Sequence, residues 1–131
     1  MKAVHKSGAR KTAVARATLQ AGNGVVRINN KMLDFYEPAL LRTKIQEPLI
    51  LAGDSAKKVD LDVNVRGGGV SSQAEAIRLA IARCLIVYNK ALQQEFLNYD
   101  RTLLVADVRV KEQHKPNCHG KARAKRQFSK R

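Results

Sequence analysis

The clearest pattern in the chain is the alternation KVDLDVNVR over residues 58–66. Apolar residues occupy every second position of this segment, and polar residues occupy the positions between them. Because successive side chains of a strand point to opposite faces, the segment is predicted to be a strand with one buried and one wet face. The buried face consists of Val59, Leu61, Val63 and Val65.

Two further strands are predicted nearer the N-terminus. Residues 12–19 (TAVARATL) are rich in small and β-branched residues, and residues 25–28 (VVRI) follow after the turn AGNG. An Asn-Gly pair between two such runs is typical of a β-hairpin, so these strands are expected to pair with each other. The expected core face of the first strand consists of Ala13, Ala15, Ala17 and Leu19.

Helical patterns occupy much of the remaining core region. One helix is predicted to open at Glu37-Pro38, to kink or restart at Pro48 and to end at Gly53. A second helix follows three glycines, and Ser72 with Glu75 is predicted to form its capping box. The spacing of its apolar residues places one stripe in the core, with Cys84 as a buried free thiol. That stripe is Ile77, Ile81, Cys84, Leu85 and Tyr88.

The last part of the core is predicted to be a short helix over residues 94–99 and a strand-like apolar run, TLLVA, over residues 102–106. The core is expected to end near Asp107. Residues 108–131 hold nine Lys+Arg and one acid, Glu112, with few large apolar side chains. Such a segment lacks the apolar area to fold alone, which is typical of a basic arm that orders on a polyanion.

The charge of the chain indicates its class of partner. The 131 residues include 25 Lys+Arg and 11 Asp+Glu, for a net charge of +14. Such a surface attracts polyanions, so nucleic acid is the expected partner, with an anionic membrane or an acidic protein as alternatives. The stretch MKAVHKSGARK lacks the apolar segment of a secretory signal, and no apolar run is long enough for a membrane helix. We expect one soluble, cytosolic domain with a single core.

The stretch VRGGGVSSQAE over residues 65–75 joins a predicted strand to a predicted helix. Its glycines allow close backbone approach, and a helix N-terminus offers free N–H groups to a phosphate. The stretch lacks the Lys-Ser/Thr of a P-loop and the third glycine of a dinucleotide fingerprint. Two interpretations remain: a loop that contacts nucleic-acid phosphates, or a turn shaped only for strand-to-helix packing.

Patterns for catalysis and metal binding are weak. The histidines are His5, His114 and His119, all in terminal segments, and neither a G-x-S-x-G elbow nor an H-E-x-x-H helix occurs. His114, Cys118 and His119 lie within six residues, but their spacing matches no standard zinc pattern and a fourth ligand is missing. We therefore expect no enzyme, no cofactor and no bound metal.

Four stretches carry a family resemblance, and they occur in the family's order. They are GARKTAVARA (8–17), GGGVSSQAEAIR (67–78), YDRTLLV (99–105) and KARAKRQFSKR (121–131). Their patterns resemble G-x-R-K-T-A-x-A-R, G-G-G-x-x-x-Q-A-x-A-I-R, Y-D-R-[ST]-L-L-V and R-A-R-x-x-Q-x-[SK]-x-R of the small-subunit ribosomal protein S-nine family. The third is typical of the archaeal and eukaryotic branch, and the short length of the chain favours the archaeal type.

The resemblance implies an α+β domain with a four-stranded sheet and two main helices packed on one face, like the second domain of ribosomal protein S-five. Residues 1–107 would form this globular domain, and residues 108–131 would form an extended basic tail that orders only on RNA. The implied role is a structural one in translation, in the cytoplasm on the ribosome. The partners would be small-subunit rRNA, neighbouring head proteins and the peptidyl-site tRNA, with no membrane and no homo-oligomer.

Site residues follow from the resemblance and from the positions of the basic and glycine-rich segments. The tail's last residues, Ser129, Lys130 and Arg131, would contact the peptidyl-site tRNA. The residues expected to bind rRNA are Arg10, Lys11, Thr12, Arg16, Gly67, Gly68, Gly69, Ser71, Ser72, Gln73, Arg78, Arg83, Arg109, Lys111, Lys121, Arg123, Lys125 and Arg126.

The sequence departs from the family pattern at the start of the tail. Asp107-Val108-Arg109-Val110 stands where the branch often has Asp-Pro-Arg-Arg, which leaves the path of residues 108–120 open. Two other functions stay in view. One is a phosphate-dependent enzyme built on the same strand–loop–helix, which would bind a free nucleotide. The other is a free-standing binder of DNA and RNA, which would show salt-dependent affinity without a preferred site.

Overall fold

The computed structural model describes residues 1–118, 120, 122 and 123. The strands are β1 (Val4–Arg10), β2 (Ala13–Ala21), β3 (Val26–Ile28), β4 (Lys31–Met32) and β5 (Val59–Arg66). The α-helices are α1 (Ala39–Ala52), α2 (Val70–Tyr88) and α3 (Leu92–Tyr99). Short 3-10 segments span Leu33–Phe35, Gly53–Lys58 and Arg101–Leu103.

The sheet has five strands in the order β1-β2-β5-β3-β4. It is mixed, because β5 pairs antiparallel with β2 and parallel with β3. The α+β class is confirmed, and the predicted count of four strands is wrong. The sequence pattern missed β1 and β4, and it placed a strand at residues 102–106, where the structure has the 3-10 segment Arg101–Leu103.

The predicted hairpin between residues 12–19 and 25–28 is also wrong. β2 and β3 are not neighbours, because β5 lies between them. The hairpin partner of β2 is β1, with the turn at Lys11 and Thr12 and with Gly8 opposite Ala15. β1 gives no hydropathy signal because its single fully buried residue is Gly8.

The helices follow the predicted positions closely. α1 begins after Pro38 and ends at Gly53, whose φ of +58° lies in the region that favours glycine. Pro48 is buried inside α1 and does not interrupt it, so the expected restart is absent. Helix α2 crosses β1, β2 and β5, and α1 packs against α2.

The core lies between the sheet and these helices. The predicted inner faces of β2 and β5 are buried, with Leu19 at 0% and Val65 at 6% exposure. Four members of the predicted stripe of α2 are fully buried, and Tyr88 packs partly buried against them. Cys84 is a free thiol there, and burial raises its pKa to about 11. A thiol held protonated in this way is an inert core residue.

Asp60 fixes the turn that leads into β3. Its Oδ1 accepts hydrogen bonds from the backbone N–H groups of Asn23 at 2.9 Å and Val25 at 3.0 Å. Gly22 lies directly against this carboxylate, since a Cβ at residue 22 would stand 2.1 Å from Asp60 Cγ. The turn is therefore held by one side chain from β5 and not by a hairpin.

We expect Asp60→Asn to lower the free energy of unfolding at pH 7, and we expect the difference between the variant and the wild type to become smaller in acid. Hydrogen bonds from Val25 and Asn23 lower the pKa of Asp60 from its ordinary value of 3.8. A carboxylate with a lowered folded-state pKa stabilises the fold above its unfolded pKa, and this contribution is lost as the pH falls through the folded pKa. Urea denaturation at pH 7 and at about pH 3 measures the gap in free energy of unfolding between the two proteins.

The control for this prediction is Asp62→Asn. Asp62 lies exposed on the same strand face, and it accepts no side-chain hydrogen bond from the described residues. A gap for Asp60→Asn that stays constant between the two pH values would contradict the assigned role of the carboxylate.

The described residues after Leu103 form no helix or strand, and residues 108–117 are all exposed. A division into a domain of residues 1–107 and a tail of residues 108–131 stays a prediction. Within the described ranges, none of the helices is both long and apolar enough to cross a bilayer.

Candidate nucleic-acid interface

The glycine loop, residues 67–69, packs on the turn between β1 and β2. Gly67 and Gly68 have φ values of +79° and +68°. A Cβ on Gly67 would lie 2.6 Å from Thr12 O, and one on Gly68 would lie 2.9 Å from the Ala13 side chain. Close packing therefore accounts for these two glycines, as the interpretation of a packing turn predicts.

The third glycine faces open space. No atom lies within 4 Å of a Cβ built on Gly69, which is the N-cap of α2 and has no side-chain cap hydrogen bond. The predicted Ser72–Glu75 capping box is therefore wrong, and Glu75 instead binds Arg10 and Lys44. The first N–H groups of α2 keep their partial positive charge at an accessible surface, where an anion is stabilised.

The predicted polar site residues at the start of α2 differ in their contacts and exposure. Gln73 Nε2 donates to Gly67 O at 3.0 Å, so this amide closes the loop. Ser71 is exposed and Ser72 is half-buried beside it. Ser71 is consequently the more accessible of the two hydroxyls to a ligand.

Exposed cations surround the loop. Lys11 and Thr12 form the exposed β1–β2 turn that the loop contacts. Arg16 and Arg66 are exposed on the sheet face opposite the helices, where Arg16 pairs across with Asn64 and Arg66 with Val14. Lys11, Arg16 and Arg66 form no ion pair with the described part of the chain. We call the turn, the loop, the first turn of α2, Arg16 and Arg66 the basic pole.

Arg66 was not among the predicted site residues. Its signal was present in the sequence, because the alternation over residues 58–66 places it on the wet face of β5. What the pattern lacked was the neighbourhood, since only the β2–β5 pairing brings Arg66 to the same face as Arg16.

Three predicted site arginines have intramolecular partners. Arg10 contacts Glu75 and Asp107, and Arg78 contacts Glu47 and Asp100. Arg83 donates to the carbonyls of Leu104 and Ser7. The side chains of Arg10 and Arg78 are only 16% and 12% exposed. The three guanidinium groups are therefore engaged by other parts of the fold.

The predicted site residues of the tail are placed in part. Arg109 binds Asp107, Lys111 is exposed, and Arg123 pairs with Glu112. Six others lie outside the described residues: Lys121, Lys125, Arg126, Ser129, Lys130 and Arg131.

Charge is divided unequally along the chain. Residues 1–24 carry five Lys+Arg and no acid, whereas residues 25–62 carry six of each sign. The second region includes α1, β3 and β4, which enclose an apolar groove of about 630 Å³. We call this second region the neutral region. The excess positive charge lies outside it, mainly in residues 1–24 and in the tail.

The possible metal ligands of the tail are described only in part. Among the described residues, no three His, Cys, Asp or Glu side chains lie together as metal ligands. His114 and Cys118 are described, while His119 lies outside the described residues. The candidate His114–Cys118–His119 site stays untested.

The fold and the basic pole define a class: a basic α+β protein that presents cations and free helix N–H groups on one surface. The sequence profile of the family described as "Ribosomal protein S9/S16" matches residues 8–131. The chain belongs to this family, as its motifs predicted. It is a family of structural ribosomal proteins, so the chain is not an enzyme.

Similar proteins come from archaea, in agreement with the archaeal type favoured by the sequence. A protein of Methanococcus maripaludis named "Small ribosomal subunit protein uS9" is 47% identical over 132 residues, covering 98% of both chains. Proteins of the same name from Methanococcus vannielii and Methanothrix thermoacetophila are 48% and 50% identical, again over 98% of both chains.

Proposed function

We propose that the chain is a structural constituent of the small ribosomal subunit that binds rRNA through the basic pole and reaches the peptidyl-site tRNA with the end of its tail. Its relatives carry the name of a small-subunit protein, which supports a place on that subunit. As a member of a ribosomal family, it works in translation, in the cytoplasm on the ribosome.

The observation that carries the rRNA proposal is that exposed cations and an open helix start occur together at the basic pole. Exposed Lys11, Arg16 and Arg66 neutralise phosphates, and the open helix start at Gly69 offers N–H groups to one more. These groups hold the backbone of a folded RNA and carry no base-reading pattern. The exposed tail residue Lys111 adds a further cation.

The neutral region supports a different partner for this part of the surface. A surface with balanced charge binds RNA phosphates weakly, because counterion release drives much of the free energy of nucleic-acid binding. We propose that the neighbouring head proteins, and not RNA, contact the region that contains α1, β3 and β4.

The tail proposal is tested by deleting Ser129–Arg131, whose motif match assigns them to the tRNA contact. We expect small subunits with the truncated protein to assemble normally and to bind peptidyl-site tRNA several-fold more weakly. The reason is the loss of two cations beside phosphates. Filter binding of tRNA to purified subunits gives the affinity.

A full-length protein with Lys2→Gln and Lys6→Gln serves as the control, because it loses the same charge at the other end of the chain. Equal tRNA affinity for truncated and wild-type subunits would overturn the tail proposal.

A further inference from the structure

A charged cleft lies where β1 ends, between α1, α2 and the segment that follows α3. It has a volume of about 310 Å³ and is lined by four cationic and four anionic side chains. This balance is unusual in a chain with a net charge of +14. Because each cation in the cleft faces a carboxylate, an RNA phosphate would have to displace an acid of the protein itself to bind there.

Arg10 joins three separate parts of the chain in this cleft. It lies at the end of β1, and its Nε donates to Glu75 of α2 at 2.6 Å. Its Nη1 lies 2.9 Å from Asp107 Oδ2, an ion contact without an aligned hydrogen bond. Arg10 thereby holds Asp107, the residue after which the predicted tail begins.

Asp107 in turn fixes the position of Arg109. Its carboxylate accepts hydrogen bonds from the backbone N–H of Arg109 at 2.9 Å and from the guanidinium of the same residue at 2.7–3.1 Å. These bonds from Arg109 hold the pKa of Asp107 well below its usual range, with the nearby Arg10 adding to the effect. The carboxylate is therefore ionised at neutral pH and fixes the backbone direction over residues 107–109.

Arg78 holds the earlier part of the same segment against α1 and α2. Its Nη2 lies 2.5 Å from Glu47 and 3.2 Å from Asp100. Asp100 in turn accepts a hydrogen bond from the N–H of Thr102 at 3.0 Å. Partial burial works in the opposite direction, but the hydrogen bonds from Thr102 and Arg78 lower the pKa of Asp100.

Arg83 completes the attachment one turn further along α2. It donates to Leu104 O at 3.3 Å and to Ser7 O at 2.8 Å, so it links the segment after α3 to the backbone of β1. The planar fork of an arginine suits such divided contacts, which the point charge of a lysine does not reproduce.

We propose that Arg10, Arg78 and Arg83 form a clamp that fixes the direction in which the C-terminal segment leaves the domain, and that they are not phosphate ligands. The importance of this direction rests on the proposed function of the tail. A segment that starts in a fixed direction loses less conformational freedom when its far end binds. Fixing the start of the tail therefore strengthens binding without a new contact. The positioning residues at the start of the tail are Arg10 and Asp107.

Backbone order in the free, full-length chain tests the clamp. We expect ¹⁵N order parameters of about 0.85 for the amides of residues 105–109 in the wild type, and values below about 0.6 at residues 107–109 in Arg10→Gln and Asp107→Asn. Asp107→Asn leaves the Arg10–Glu75 contact in place, so it remains informative if Arg10→Gln folds poorly. Lys11→Gln is the matched control, since it removes an adjacent exposed charge that has no partner in the described residues.

Loss of order in the two clamp variants but not in Lys11→Gln would support the proposal. Unchanged order in Asp107→Asn, or equal loss in Lys11→Gln, would overturn it. The two clamp variants, Arg10→Gln and Asp107→Asn, in reconstituted small subunits separate the clamp from the function of the tail. If amide order falls while peptidyl-site tRNA affinity stays at the wild-type level, the clamp stands and the proposed contribution of a fixed direction to tRNA binding fails.

Discussion

Gly8→Ala is expected to destabilise the protein by about 3 kcal/mol, at the upper end of the usual range for overpacking a core. Gly8 is buried in β1 where the strand crosses α2. An added Cβ would lie 2.6 Å from Ala76 O, 2.8 Å from Ala80 N and 3.0 Å from the Leu79 Cβ. Two of these atoms belong to the helix backbone, so the strand itself must move to relieve the clash.

Thermal and urea unfolding would measure this loss, with a fall in Tm of roughly 10 °C. The matched control is Gly69→Ala, because residue 69 has φ −94° and open space around the new Cβ. Its expected loss is under about 1 kcal/mol, the difference between glycine and alanine at an N-cap. Equal stability of the two variants would mean that β1 does not pack on α2 as described.

Gly8 also explains why the sequence predicted some elements and missed others. β5 and α2 bury large apolar side chains at regular spacing, so their positions and inner faces follow from the pattern alone. The buried residue of β1 is a glycine, which has no apolar side chain, so a hydropathy pattern does not detect this strand. The packing of two backbones is visible only in the assembled fold.

The failed hairpin has a different cause. Asn23-Gly24 is a strong local turn signal, but β3 pairs parallel to β5, more than thirty residues away in sequence. The turn is held by Asp60 of that distant strand. Local rules report which segments can turn, and long-range pairing decides which strands become neighbours.

The candidate site was predictable to a similar degree. The sequence marked most cations and the glycine loop, because charge and glycine are visible in composition. It could not distinguish the exposed Arg16 from the engaged Arg10 and Arg78, since that depends on acids as distant as Glu75 and Asp107. It passed over Arg66 because only the β2–β5 pairing brings this residue to the same face as Arg16.

Replacing Lys11, Arg16 and Arg66 together by glutamine is expected to weaken binding to small-subunit rRNA on the order of a hundredfold to a thousandfold at ~0.1 M salt. The slope of log K against log salt is negative, and each lost phosphate contact makes it shallower by about 0.7–0.9. Three lost contacts therefore make the slope shallower by about 2–3, and their effect grows as the salt concentration falls. The substitutions lie on exposed positions, so the fold should be kept.

The matched control replaces Lys57, Lys58 and Lys90 by glutamine. The three lysines are also exposed, and their replacement removes the same net charge. Lys57 and Lys58 precede β5 and Lys90 follows α2, at the ends opposite the glycine loop. The slope of log K against log salt for this control should become shallower by less than about 1, because a charge remote from the RNA contributes only to the long-range field.

The most direct measurement is a filter-binding titration of small-subunit rRNA with the wild type and both variants, from about 0.05 to 0.5 M salt, with duplex DNA as competitor. The account predicts saturation of the wild type at one copy, resistance to the competitor, and loss of affinity and slope in the basic-pole variant alone. Equal losses in the two variants, or wild-type binding abolished by duplex DNA, would show that the positive charge acts only as a sum and that the basic pole is not an rRNA interface.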